Sequence, residues 1–195
     1  MKLKIIDEFY SASDFGLVLS EFINQHFQPT YQSKASLYGG DRFQGYPCHE
    51  SPDYYYDKNP ISIGNILKKT FEEKTQIKLL YFKTFLRKIK LHEFKKAASW
   101  GQHKPHKDSK TDCDIAGIIY FNSGSIKDGT NLYSKVSDYV PTVIVGSNPN
   151  RCVFYDSSIP HQPGEFQEIE DRWVQCFFGI TDPELYKKFK ENNET

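Results

Sequence analysis

Arg151-Cys152-Val153-Phe154-Tyr155-Asp156, a turn marked by Ser157, Ser158 and Pro160, and then Trp173-Val174-Gln175-Cys176-Phe177-Phe178-Gly179-Ile180 carry the reading of the fold. Both are short runs dense in aromatic and β-branched residues and bounded by turn formers, the pattern of strands rather than helices. Working outward, the same texture recurs at residues 142–146, 130–133, 114–122, 93–102 and 77–89, separated by Gly, Asn, Pro and Ser. Many short strands at even spacing predict a sandwich or closed barrel.

Upstream the period changes. After a short strand at Leu3–Ile6, residues 13–27 place Phe15, Val18, Leu19, Phe22, Ile23 and His26 on one helical face ahead of Pro29. Residues 32–57, rich in Gly, Tyr, Ser, Pro and Asp, read as a long ordered loop. Asn59-Pro60 opens a second helix with Pro at its first position, and Ile63, Ile66, Leu67, Thr70 and Phe71 face inward. Residues 182–190 form a short polar helix. The expected class is therefore α+β, mainly β: a jelly roll flanked by two or three helices. It forms a single domain over residues 1–195, with a helical part (1–76) packed on a β core (77–181).

Composition narrows the function classes. Lys+Arg and Asp+Glu balance at 25 each, so no basic surplus argues for nucleic acid or an anionic membrane. No apolar run approaches a membrane span, and no signal-peptide core follows Met1. Cys48, Cys113, Cys152 and Cys176 form no CxxC pair, and three of them lie in apolar runs as small buried hydrophobes, which favours a reduced, cytoplasmic setting.

The chemistry is concentrated in the C-terminal half. His106 and Asp108, two apart on an extended segment, point to one side, so one short piece supplies two metal ligands. His161, between Pro160 and Pro163, sits in a stiff turn and supplies a third. Two His and one carboxylate on one face, with the opposite positions open, are the donor set of non-haem Fe(II). A lone His-x-Asp is common by chance; the distal His followed at eleven residues by Arg172 gives it weight. Arg172 enters an apolar strand, where a guanidinium is suited to gripping a buried carboxylate. Tyr120 and Tyr133 are candidate phenol donors to the same anion or, equally, core aromatics; Asn122 and Gln175 are weaker candidates. His103 reads as a pocket residue, because a zinc site built on it lacks further His or Cys at suitable spacing. His26 reads as a core side chain, and His49 and His92 as loop or surface residues.

With these motifs, the stretch from Trp100 to Ile180 resembles the 2-oxoglutarate/Fe(II)-dependent oxygenase superfamily. The matching pieces are Pro105-His106-Lys107-Asp108, residues 116–122, Gly129-Thr130 with Tyr133, residues 151–156 before His161, and Asp171-Arg172. The opening Ile5-Ile6-Asp7-Glu8-Phe9-Tyr10 also looks like the start of such domains. The resemblance implies a double-stranded β-helix, with Fe(II) on His106, Asp108 and His161 and 2-oxoglutarate on Arg172. It also implies O2-dependent decarboxylation of 2-oxoglutarate to succinate, coupled to oxidation of a substrate C–H bond. The presence of Asp108 favours hydroxylation over halogenation, because the halogenases lack that carboxylate. Phe178 stands where the nucleic-acid demethylases carry a second Arg, so a small-molecule, amino-acid or peptidyl substrate is expected. A cupin-like metal enzyme and a non-catalytic jelly-roll binding module are the competing readings.

Overall fold

A computed structural model describes residues 3–29, 48–93, 105–108, 113–164 and 170–193. The expected strand at 93–102, most of the loop at 32–57, and His103 fall largely or wholly outside these residues. Among the described residues are ten strands, three α-helices and a 3-10 turn at Ile126–Asp128: β1 (Leu3–Ile6), α1 (Ala12–Asn24), β2 (Gln28–Pro29), β3 (His49–Glu50), α2 (Ile63–Thr75), β4 (Tyr81–Lys90), β5 (Ile115–Tyr120), β6 (Thr130–Leu132), β7 (Val143–Val145), β8 (Cys152–Asp156), β9 (His161–Pro163), β10 (Asp171–Ile180) and α3 (Pro183–Asn193).

All strand pairings are antiparallel, in a seven-stranded sheet of order β1-β8-β5-β10-β4-β3-β2 and a three-stranded sheet of order β7-β6-β9. Period-2 alternation sorts the large sheet into two faces. Trp173 and Phe177 of β10, with Ile119 and Phe154, pack under the helices against Phe22, Leu67 and Phe71. Val174 and Cys176 turn the other way, with Phe85, Tyr120, Val153 and Tyr155, to meet Leu132 and Val145 of the small sheet. Two faces of one sheet therefore serve two cores, one structural under the helices and one between the sheets.

Close packing on the helix side dictates one glycine. A Cβ at Gly117 would lie 2.2 Å from the ring of Phe177, which is fully buried and opposes it in register.

The helices depart from expectation at their ends. Helix α1 stops at Asn24, and Gln25 is already extended, so His26 lies beyond it and is exposed rather than in the core. Ile23, in the last turn of α1, points to solvent at 68% exposure rather than inward as expected. Helix α2 begins after Ser62, whose hydroxyl accepts from the Asn65 N–H, and not at Pro60. Asn59 instead closes its own turn, its side chain accepting from the Ile61 N–H and its carbonyl from Ser62, which leaves Ser62 as the cap. Among the described residues no helix is long and apolar enough to cross a membrane.

Candidate metal centre

His161 opens β9, and its backbone N–H and carbonyl both pair with those of His106, at 2.8 and 2.9 Å. The reading of a proline-stiffened turn is thus corrected: the residue is held by a strand ladder, with Leu132 of β6 opposite it on the other side. Directly opposed residues of an antiparallel pair share a face, so both imidazoles project together, ring centroids 4.5 Å apart. Asp108, two residues on, comes to the same side, its N–H donating to the Ser157 carbonyl in the turn between β8 and β9. Ligand atoms of His106, Asp108 and His161 lie within 4.8 Å of one another.

The electrostatics suit a cation. Nδ1 of His161 is 3.1 Å from the Ile159 carbonyl, a contact that holds the proton there and makes Nε2 the lone-pair nitrogen. Burial, aided by the Arg87 charge and opposed by the Ile159 hydrogen bond, depresses the imidazole to about 4, so it is neutral at pH 7. Nε2 therefore confronts Asp108 Oδ2 at 3.5 Å as one electron-pair donor facing another, an arrangement that a shared metal ion relieves. The Tyr155 ring packs against His161 at 4.8 Å between centroids.

A second polar cluster lies in the same interior. Arg172, 1% exposed, opposes Ile89 at the start of β10 and donates through Nη2 to Thr130 Oγ1 at 3.1 Å. Thr130 Oγ1 is also 2.6 Å from the Tyr120 hydroxyl, and the guanidinium lies 5.2 Å from the Tyr120 ring centroid. Burial raises the Tyr120 phenol, with Arg172 partly offsetting it. Proton counting is informative here. The Thr130–Tyr120 contact uses one of two hydroxyl hydrogens, so the cluster retains one O–H to donate beside the guanidinium.

Tyr133 lies elsewhere. It lines a cavity of about 350 Å³ with Leu3, Lys107, Thr142, Ser158 and Ile159. Gln175 has the parity of Phe177 and sits on the helix side, accepting from Tyr10 and donating to Thr84. Asn122 ties the start of β10 through the Trp173 N–H and the Asp171 carbonyl.

Sequence reasoning passed over Thr130, Arg87 and Glu50. Arg87 has the parity of Phe85 and Ile89 in β4, so an arginine at an inward position was the available signal. Its Nε and Nη2 both donate to Glu50 Oε1, at 2.8 and 2.5 Å.

No family model and no curated protein matches this sequence. Solved structures do resemble it. A prolyl-4-hydroxylase from Pseudomonas putida superposes with TM-score 0.57 at 13% identity, covering 91% of this chain and 92% of its own. A 2OG-Fe(II) oxygenase family oxidoreductase from Burkholderia pseudomallei gives TM-score 0.57 at 6% identity, covering 92% and 88%. A prolyl hydroxylase from Trichoplax adhaerens, in complex with a hypoxia inducible factor oxygen degradation domain peptide fragment, gives 0.55 at 14%, covering 99% and 87%. The two facing antiparallel sheets of this chain therefore form the jelly-roll fold of the 2OG-Fe(II) oxygenase and prolyl hydroxylase structures.

Proposed function

We propose that this chain is an Fe(II)/2-oxoglutarate-dependent dioxygenase that hydroxylates a C–H bond of a small molecule, an amino acid or a peptidyl side chain. The fold is that of such enzymes, and the donor set is two imidazoles and one carboxylate within 4.8 Å. The observation that carries the reading is the spacing of two sites along one strand pair. Leu132 opposes His161 and Thr130 opposes Pro163, so the Thr130–Arg172 cluster lies one two-residue step from the metal ligands. That step is about 7 Å, the scale of a five-carbon dicarboxylate stretched between a metal and an arginine.

His106, Asp108 and His161 are the residues that would hold Fe(II), and a three-residue donor set would leave positions for 2-oxoglutarate and O2. Iron bound by these residues would supply the activation of O2 that couples loss of CO2 from 2-oxoglutarate to insertion of one oxygen atom into substrate, the other entering succinate. The residues do the rest. Arg172 neutralises the far carboxylate, which unpaired would be costly in an interior this dry. Thr130 keeps the guanidinium aimed, and the spare hydroxyl proton of the Thr130–Tyr120 pair adds a donor. The cavity that Tyr133 lines offers room for substrate or co-substrate. All four cysteines are buried and none is in a disulfide, which suits a reducing, cytoplasmic setting.

The test is anaerobic titration of apo-protein with Fe(II) and 2-oxoglutarate, read by the weak visible charge-transfer band of the chelate. The band is expected in wild type and lost in His161→Ala, and Arg172→Ala needs at least tenfold more 2-oxoglutarate to reach half its amplitude. Folded wild-type protein with no band sinks the reading.

A further inference from the structure

The Arg87–Glu50 pair takes no part in the scheme above, yet the register places it on the wall of the same interior. Glu50 opposes Arg87, Arg87 opposes Val174, and Val174 opposes Tyr120, a single row across β3, β4, β10 and β5. Opposed residues share a face, so this pair shares the face of Tyr120 and Arg172. The Arg87 guanidinium lies 5.1 Å from the ring centroid of Phe85, itself part of the apolar lining between the sheets. Arg87 opposes Val174, two residues along β10 from Arg172, so the two arginines are diagonal neighbours on adjacent strands, about 7–8 Å apart at the backbone.

Both side chains keep some exposure, 16% for Arg87 and 10% for Glu50. Stability does not account for the pair, since a largely buried ion pair contributes little over apolar side chains of the same volume. Charge balance says what it can recognise. Among the described residues on these walls, Asp108 and Arg172 carry one charge each of opposite sign, and both histidines are taken as neutral ligands. A divalent cation and a dicarboxylate cancel each other, so the loaded site is neutral. Lys83, farther along the same face, is opposed by Asp53. Lys107, between His106 and Asp108, is exposed and lies on the cavity that Tyr133 lines, so within the buried walls what remains is the dipole of Arg87 and Glu50. A substrate of one sign would bring an uncompensated charge into low dielectric. A zwitterion laid antiparallel to the pair would not.

Building on the iron and 2-oxoglutarate reading, the geometry points to Arg87 and Glu50 as the substrate-recognising pair for a free α-amino acid, its carboxylate on the guanidinium and its ammonium on Glu50. The experiment offers protein loaded with Fe(II) and 2-oxoglutarate each free L-amino acid, beside its N-acetyl and its carboxamide derivatives, and reads succinate release. At least one free amino acid is expected to stimulate release, and both of its derivatives to need at least tenfold higher concentration. Arg87→Gln raises the half-saturating amino acid at least tenfold and removes the penalty for amidation; Glu50→Gln removes the penalty for N-acetylation. Each charge is thereby tied to its own group, a coupling that a merely structural role would not produce.

The anaerobic band is recorded first on the same protein. Its absence sinks the iron reading and this proposal with it. A band without stimulation by any free amino acid overturns the proposal alone. So do capped derivatives that act as well as the free compounds, or an Arg87→Gln protein that weakens for 2-oxoglutarate and not for the amino acid. Should Arg87→Gln fail to fold by circular dichroism, Glu50→Gln and the wild-type comparison of derivatives decide the matter.

Discussion

Replacing Thr130 by Val tests the buried cluster most directly, because it deletes one oxygen with little change in volume. That oxygen accepts from Arg172 Nη2 at 3.1 Å and meets the Tyr120 hydroxyl at 2.6 Å, and all three residues are at most 1% exposed. A hydrogen bond from a charged donor is worth about 1.5–3 kcal/mol and a neutral one about 1 kcal/mol, so the substitution costs roughly 3 kcal/mol. Unfolding entropy of about 2.1 cal/mol/K per residue over 195 residues is roughly 0.4 kcal/mol/K, so the melting temperature falls by about 7 °C. Thr130→Ser is the control. It keeps the oxygen and loses one methyl, about 0.8 kcal/mol, or roughly 2 °C. Thermal and urea unfolding of the chelator-treated protein measure both variants. A Val variant that melts within about 2 °C of the Ser variant would refute the claim that this hydroxyl supports the buried arginine.

Gly117→Ala drives a methyl into the Phe177 ring and is expected to cost about 1–3 kcal/mol, read from the urea midpoint at unchanged slope. Phe71→Ala, in fully buried contact with Phe154 and Phe177, should cost about 3–5 kcal/mol by the same measurement. Acid should weaken the metal-free protein through His161, whose imidazole is depressed from 6.5 to about 4. The unfolded chain binds this proton first, so the stability is present above pH 6.5 and is lost as pH falls towards 4, by at most roughly 3 kcal/mol. Unfolding curves at pH 7.5 and 4.5 should therefore differ less in His161→Gln than in wild type, and equal differences would exclude His161 as the source.

Local features made much of this legible. The density of aromatic and β-branched residues in 151–156 and 173–180, bounded by turn formers, announced strands because that texture is a property of a few consecutive residues. The candidate ligand pair His106 and Asp108 was legible for a related reason: two residues apart on an extended segment is a same-side relation that needs no tertiary knowledge. Helix ends were less so, since Ser62 and Pro60 offer competing starts and the neighbouring Asn59 turn decides between them.

The rest depended on register between segments distant in the chain. His106 and His161 come together only because β9 pairs with the segment carrying His106, and Thr130 meets Arg172 only because the small sheet covers the large one. Arg87 and Glu50 belong to strands whose sequences say that a side chain alternates, but not which face encloses the site. Sequence alone determined which residue types were available and which side of their own strand they occupy. Tertiary structure decided which strand each one faces, because antiparallel register is set by the packing of two whole sheets and not by any one run of residues.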